Sequence, residues 1–173
     1  MRIADAAMQV GEEVRAALRE AGVSLAASLP DDWVAPIIES VDGDPDITHV
    51  RVARESEIVG ICCGGFMTGA RSVAVMGGTG LMASACEFAT ISERHGIPLF
   101  ILSSLRGDGD DIRVYQEVQG RRLRPYLQTF DIPYQIVSSR SDIARLPDYY
   151  EHSRIQKRPY VVFFTKKLLQ GIV

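Results

Sequence analysis

The sequence predicts an α/β fold in three layers, with helices on both faces of a mostly parallel central sheet. Segments with helical apolar spacing alternate with short runs that are apolar throughout, such as SVAVM (72–76), IPLFILS (97–103) and PYVVFFT (159–165). Strands of this kind are buried on both faces, which is typical of parallel sheets. The 173 residues suffice for one domain with its own core, so we expect a single domain over 1–173.

The predicted elements follow one another in chain order. Apolar residues at helical spacing between Val10 and Ala21 predict a first helix, which Gly22 ends. The patterns then predict a turn and short helix at 29–41, a strand at 47–53, a helix at 55–68, a strand at 72–76, a helix at 81–96, a strand at 97–103, a helix around 117–130, a strand at 132–137, a helix near 141–154 and a strand at 159–165.

Function is expected where loops follow the strands, because ligands of parallel sheets bind at the carboxyl ends of the strands. Four places meet this description. They are residues 30–32, residues 54–55, residues 77–80 and the loop at Arg106.

The composition restricts the classes of partner. The formal net charge is −3, so no overall basic character favours nucleic acid or an anionic membrane. The longest apolar runs, at 97–102 and 160–164, are far too short to cross a bilayer. Three cysteines without CxxC spacing indicate a reduced protein, and the N-terminal stretch does not resemble a signal peptide. We expect a cytoplasmic protein with no nucleic-acid or membrane partner.

The glycine-rich turn GGTGLMA (77–83) is close to a dinucleotide-binding fingerprint, since it follows a strand and opens a helix. The next strand ends in Ser103, Ser104 and Arg106, with no acid for a ribose, although Arg106 would suit a 2′-phosphate. A nucleotide-binding oxidoreductase therefore remains an alternative, and a plain tight turn before a helix is the simpler interpretation.

Other polar motifs predict no site. The GDG run (107–109), continued by Asp110 and Asp111, predicts a solvated turn with exposed acids, and a lone Ca²⁺ or Mg²⁺ site is only weakly indicated. The cysteines show no ligand spacing and predict buried packing, and the histidines predict surface or boundary positions. These residues are Cys62, Cys63, Cys86, His49, His95 and His152.

The stretch RESEIVGICCGG (54–65) carries the strongest functional signal. Glu55 and Glu57 precede a helix of small and apolar residues. An acid at a helix start is stabilising by about 0.3–1 kcal/mol, which accounts for Glu57. Glu55 lies nearer the end of the preceding strand, where ligands bind.

The ordered set of motifs resembles the thiamine-diphosphate-dependent decarboxylases of the sulfopyruvate and phosphonopyruvate decarboxylase family. RESEIVGICCGGFMTG (54–69) is similar to their R/N-E-x-x-x-VG-x-x-x-G segment. VAVMGGTGLMASACEFATISERHGIPLFILSSLRG (73–107) resembles their strand, glycine turn, helix, IPL strand and RG loop. QEVQGRRLRPYLQTFDIPYQIV (116–137) is similar to their Q-x-x-x-G-R segment and IPY strand, and LPDDWVAPII (29–38) to their PD loop.

The resemblance implies one half of a two-subunit enzyme that acts on a 2-oxo acid. It covers the pyrimidine-binding subunit alone, and its fold would be of the pyrimidine-domain type. The sequence contains no Asn, so the GDG…N motif that holds Mg²⁺ and the diphosphate is missing here. Thiamine diphosphate would then be shared with a diphosphate-binding beta subunit that also holds Mg²⁺, in a hetero-oligomer. No metal ligand is expected in this chain.

The resemblance also assigns site residues. Alignment on Val59–Gly60 places the glutamate that hydrogen-bonds N1′ of the aminopyrimidine at Glu55, as the catalytic residue. The family's glycine turn places further cofactor-binding residues at Gly78, Thr79 and Gly80. Its PD, RG and Q-x-x-x-G-R segments place substrate-binding residues at Asp31, Arg106 and Gln116.

Several family positions carry other residues here. A Gln, two Asn and a His of the family correspond to Gly77, Ala83, Cys86 and Glu117. A different 2-oxo acid, carboligation in place of simple decarboxylation, or a non-catalytic subunit that only binds a partner are therefore alternatives. Arg106, Arg121 and Arg122 are candidates for meeting an anionic substrate tail, and each is equally explained as a surface charge.

Overall fold

A six-stranded parallel sheet organises the chain in the computed structural model, which describes residues 3–109, 111 and 113–172. The strands are β1 (Leu25–Ser28), β2 (Thr48–Arg51), β3 (Ser72–Met76), β4 (Leu99–Ser104), β5 (Tyr134–Val137) and β6 (Pro159–Phe164). The helices are α1 (Ile3–Glu20), α2 (Ala35–Asp42), α3 (Glu55–Met67), α4 (Gly78–Ala83), α5 (Ala85–Glu87), α6 (Val114–Thr129), α7 (Arg140–Ile143), α8 (Leu146–Gln156) and α9 (Lys166–Leu169). A π-helical segment, Phe88–Glu93, follows α5.

The strands lie in the order β2-β1-β3-β4-β6-β5, and each neighbouring pair is parallel. The register places Ala27 of β1 between Val50 of β2 and Ala74 of β3. Because all strands point the same way, the loops after β2, β1, β3 and β4 emerge side by side at one edge.

Helices cover both faces of this sheet. Successive residues of a strand point to opposite faces, so each strand contributes to two cores. On β3, Val73 and Val75 join a core with α1, α2 and α8, while Ala74 and Met76 join a core with α3 and α6. β3, β4 and β6 are buried along their whole length. The predicted three-layer α/β/α class is confirmed, and the sheet is parallel throughout its described strands.

The structure differs from the predicted elements in four places. α9 was not predicted, because it is a single turn of four residues. β1 was not predicted, because LAAS is short and rich in alanine, which has low strand propensity. The predicted helix at 81–96 begins earlier, at Gly78, and is interrupted at Ser84, whose φ of −99° and ψ of 17° leave the helical range. The predicted helix near 141–154 is divided into α7 and α8 at 144–145.

Among the described residues, no helix has the length and apolar character needed to cross a membrane.

Candidate active site at the carboxyl edge of the sheet

Four loops meet at the carboxyl edge of β2, β1, β3 and β4. They contain Glu55 after β2, Asp31 after β1, the turn 77–80 after β3 and Arg106 after β4. The sequence predicted these four places, and strand order makes them neighbours. The candidate site therefore lies where ligands of open parallel sheets bind.

Glu55 is the first residue of α3, and it is half-buried. Its carboxylate has no hydrogen bond or ion pair with any described residue. Glu57 differs, because its carboxylate accepts from the backbone N–H groups of Ala53 at 2.9 Å and Arg54 at 3.2 Å. The prediction that Glu57 stabilises the helix start is confirmed, and Glu55 is left available at the edge.

The glycine turn gives room to three neighbouring groups. A Cβ atom on Gly80 would lie 3.0 Å from Glu55 Cβ and Cδ and closer still to Cγ. A Cβ atom on Gly77 would lie 2.6 Å from Asp31 Oδ2, and one on Gly78 would lie 3.1 Å from Leu123 Cδ2. Protein side chains thus fill the space beside all three glycines, which favours the tight-turn interpretation over a dinucleotide-binding fingerprint.

Arg106 is the centre of a cluster beneath this turn. The residue is 4% exposed, and its Nη2 donates to Asp31 Oδ2 at 2.8 Å and to Asp32 Oδ1. Its guanidinium carbon lies 4.2 Å from the ring centroid of Trp33, a cation–π arrangement. Asp31 in turn accepts from the Trp33 N–H at 3.1 Å. Arg106 therefore joins the loop after β4 to the loop after β1.

Asp32 adds a second arginine to the same cluster. Its Oδ2 accepts from Arg113 Nη1 at 3.1 Å. Desolvation opposes ionisation of Asp32, but hydrogen bonds from Arg106 and Arg113 outweigh it and hold the pKa of Asp32 below its ordinary value. Both carboxylates of the loop after β1 are thus already paired with arginines.

Gln116 connects this cluster to α6. The side chain is buried, and in the amide orientation that satisfies its neighbours it accepts from Arg106 Nη1 at 2.5 Å and donates to Asp111. The loop after β4 packs directly on the α6 backbone, since a Cβ atom on Gly120 would lie 2.7 Å from the Arg106 carbonyl oxygen. This close approach requires a residue without a side chain at Gly120, the glycine of the Q-x-x-x-G-R motif.

Thr79 is the exposed member of the glycine turn, and Gln119 Nε2 donates to its hydroxyl. Sequence reasoning missed Gln119, although its position three residues after Gln116 places both on one side of α6. It placed Asp32 in an expected ligand-binding loop but did not foresee its pairing with Arg106, and it missed Trp33. Their contacts with Arg106 span more than 70 residues of chain, and no local pattern reveals them.

Some of the remaining polar motifs lie as predicted and others do not. Cys62 and Cys63 are buried as expected, but Cys86 is exposed, because it lies on the outer side of the interrupted helix. Asp108 is exposed as predicted, and Asp110 lies outside the described residues. Asp111 is half-buried rather than exposed, because it accepts from the Gly107 N–H at 3.1 Å. Among the described residues, no group of three or more His, Cys, Asp or Glu side chains is placed to hold a metal ion.

Comparison with characterised proteins identifies the family. The sulfopyruvate decarboxylase subunit alpha of Methanothermobacter thermautotrophicus is 32% identical over 141 residues, which cover 79% of this chain and 86% of that subunit. The chain belongs to the sulfopyruvate decarboxylase alpha subunit family. The corresponding subunit of Methanococcus maripaludis is 30% identical over 73% of this chain and 76% of that subunit. The family predicted from the motifs is confirmed, although no protein-family model matches the chain.

A longer relative and a solved structure extend the comparison. The sulfopyruvate decarboxylase of Methanosarcina acetivorans is 26% identical over 92% of this chain, but this region is 41% of that protein. The fold is similar to that of a 2-oxoglutarate:ferredoxin oxidoreductase from Magnetococcus marinus, with a TM-score of 0.70 and 11% identity. That likeness covers 92% of this chain and 29% of the other, and at this identity it concerns the fold alone.

Proposed function

We propose that this chain is the pyrimidine-binding subunit of a two-subunit decarboxylase that acts on sulfopyruvate or a similar 2-oxo acid with an anionic tail. Relatives named as sulfopyruvate decarboxylase alpha subunits support the reaction class. The observation that carries the proposal within the structure is the unpaired carboxylate of Glu55 at the carboxyl edge of the sheet.

Glu55 is the proposed catalytic residue. It is half-buried, it has no partner among the described residues, and Gly80 leaves room for its side chain. A carboxyl group in this state is suited to share a proton with a ring nitrogen, N1′ of an aminopyrimidine. A charge-assisted hydrogen bond of this kind is strong where water is excluded.

The residues of the turn fit the proposed cofactor, thiamine diphosphate. When bound, this cofactor supplies a carbon nucleophile and an electron sink for the loss of CO₂ from a 2-oxo acid. Glu55 would hold its pyrimidine, and the turn of Gly78, Thr79 and Gly80 would form the adjacent wall, with Thr79 exposed to the ligand. In this proposal the partner subunit holds the diphosphate and Mg²⁺.

The substrate side of the proposed site is bordered by Asp31, Arg106 and Gln116. Arg106 joins Asp31 to Gln116, and Asp31 lies beside Gly77 of the glycine turn, so the three residues form a continuous wall. Asp31 lies against Gly77, three residues before the glycine that contacts Glu55. The wall is therefore fixed relative to the proposed catalytic carboxylate.

The proposed partner is a diphosphate-binding beta subunit in a hetero-oligomer. Its existence is supported by the alpha-subunit relatives and by the longer relative that this chain matches over 41% of its length. Val114, Tyr115 and Val118 on the first turns of α6 are 86%, 74% and 53% exposed beside the site. Apolar side chains grouped in this way are typical of a protein interface. The cytoplasmic location remains a prediction.

The test uses the complex of this chain with its beta subunit. We expect the wild-type complex to release CO₂ from sulfopyruvate and to bind thiamine diphosphate with Mg²⁺ by calorimetry. Glu55→Gln should lower kcat by about 10²–10⁴-fold, the range expected for a lost proton-transferring group. Glu57→Gln is the matched control, because this side chain serves the helix start and should leave kcat within about twofold.

Two results would contradict the proposal. Retained turnover in Glu55→Gln would remove Glu55 from catalysis. Cofactor binding by a wild-type complex that turns over no 2-oxo acid would favour the non-catalytic alternative. Analysis of the products separates an aldehyde from a carboligation product.

A further inference from the structure

The proposed substrate has a second anionic group besides its carboxylate, and a cation at the candidate site would meet it. Arg106 is the cation that sequence motifs favour. It is buried, and its guanidinium already donates to Asp31, Asp32 and Gln116. Asp111 lies across Gln116 in the same cluster, so three acids surround two arginines there. The guanidinium groups of Arg106 and Arg113 are thus already paired with carboxylates, and an anionic tail would have to compete with them.

A cavity of about 370 Å³ between α4 and α6 offers a different environment. Its lining includes Thr79 and Gln116, which already belong to the candidate site. It is also lined by Met82, Tyr115, Gln119 and Arg122. The cavity is therefore continuous with the proposed cofactor and substrate walls, and its volume lies within the range of ligand pockets.

Arg122 is the charged side chain of this cavity. It is exposed, and it forms no hydrogen bond or ion pair with any described residue. Its neighbour Arg121 instead pairs with Glu117 at 3.4 Å on the outer side of α6. Gln119 lies one helical turn from Arg122 and donates to Thr79, so the cation stands beside the exposed member of the glycine turn.

Building on the proposed function, on which this assignment rests, we infer that Arg122 binds the anionic tail of the substrate. The guanidinium presents several N–H donors in one plane and matches an oxyanion group that has more than one acceptor oxygen. Arg106 acts in the wall, where it holds Asp31 and Gln116 in place. In this assignment Arg122 provides specificity for a charged tail, and Arg106 maintains the shape of the site.

The test compares two substrates in the complex of this chain with its beta subunit. Sulfopyruvate carries the anionic tail, and pyruvate lacks it. We expect Arg122→Gln to raise KM for sulfopyruvate by about 10- to 100-fold, the effect of losing a hydrogen-bonded charge, while kcat/KM for pyruvate stays within about twofold. Arg122→Lys should recover part of the lost affinity, and Arg121→Gln is the matched control that should change neither substrate.

Each other outcome counts against the assignment. An unchanged KM for sulfopyruvate in Arg122→Gln would overturn it, as would an equal loss with both substrates, which would mark a general effect on the complex. Wild-type inactivity toward both acids would overturn the proposed function and this assignment with it. Thermal melting of each variant complex separates loss of assembly from loss of substrate affinity.

Discussion

The side chain of Glu55 occupies the space in which a Cβ atom on Gly80 would lie, with Glu55 Cβ and Cδ both 3.0 Å from that position. Glu55 begins α3 and Gly80 lies in the first turn of α4, and these helices follow β2 and β3, which are separated in the sheet by β1. The glycine therefore determines where the proposed catalytic carboxylate can stand.

We expect Gly80→Ala to displace Glu55 and to lower kcat by about 10²-fold, because a displacement near 1 Å is costly in a preorganised site. Gly60→Ala on α3 is the control, since a Cβ atom there would contact nothing within 4 Å. Steady-state kinetics of the two complexes make the comparison. Equal activities would show that Glu55 does not depend on the glycine.

Arg106→Lys should destabilise the chain by about 1–3 kcal/mol, because an ammonium cannot replace the hydrogen bonds to Asp31, Asp32 and Gln116 together. Arg113→Lys removes one exposed contact with Asp32 and should cost no more than about 0.5 kcal/mol. Urea unfolding measures both free energies. A smaller loss for Arg106→Lys than for Arg113→Lys would refute the central place of Arg106.

Acid should weaken the fold through Asp44. Its carboxylate accepts from Arg15 at 2.6 Å and from the Asp46 N–H at 2.9 Å. Desolvation opposes ionisation, but these hydrogen bonds outweigh it and hold the pKa of Asp44 below its ordinary value. The unfolded chain then binds the proton more readily, so this contribution is present at neutral pH and is lost as the pH falls through the folded pKa.

The free energy of unfolding should therefore be level from about pH 7 to 5 and should fall below about pH 4, where an ordinary aspartate takes up its proton. Asp44→Asn should remove part of this fall. Asp148→Asn is the control, because Asp148 is exposed and pairs with no described residue. Urea titrations at several pH values measure the free energy of unfolding of the wild type and the two variants. The same decrease with falling pH in all three proteins would contradict the expectation.

The cysteines should differ in reactivity. Burial raises the pKa of the Cys62 thiol strongly and that of Cys63 to about 11, so few thiolates form at neutral pH. Cys86 is exposed. A colorimetric thiol reagent should label one cysteine in the folded chain and three after unfolding, and Cys86→Ser should abolish the first reaction. Fast labelling of that variant would show that the α3 cysteines are accessible.

The exposed apolar side chains of α6 should contact the beta subunit. Replacing Tyr115 and Val118 together by serine should weaken association with the beta subunit by at least about tenfold, the loss of one well-packed contact. Ile155→Ser on α8 is the control, since Ile155 is 76% exposed on another part of the surface. Sedimentation or light scattering at graded concentrations measures the affinity of each variant for the beta subunit. Equal effects at the two places would argue against this face.

Much of the fold could be predicted because buried parallel strands are written into the sequence as apolar runs. SVAVM at β3 and the buried run of β6 show this, whereas LAAS at β1 does not, although β1 lies between β2 and β3. The interruption at Ser84 could not be predicted either, since its hydroxyl is buried without a partner among the described residues and no local pattern marks the break.

Some features of the candidate site could likewise be predicted from local sequence, and others depend on residues far apart in the chain. Glu57 at the helix start follows from local spacing, and its hydrogen bonds involve neighbours within four residues. The carboxylate partners of Arg106, Asp31 and Asp32, lie about 75 residues away in the chain, and strand order brings them to Arg106. Sequence therefore identified Arg106 but not its burial, and a buried, paired arginine has a different role from an exposed one.

The position of β6 between β4 and β5 has a consequence for synthesis of the chain on the ribosome. β5 is made before β6, yet among the described strands β5 hydrogen-bonds only to β6. Until residues 159–164 have emerged, β4 keeps an open edge and β5 has no strand to join. The sheet can thus be completed only after translation has passed β6, and until then β4 presents the kind of unpaired edge that makes folding intermediates prone to aggregation.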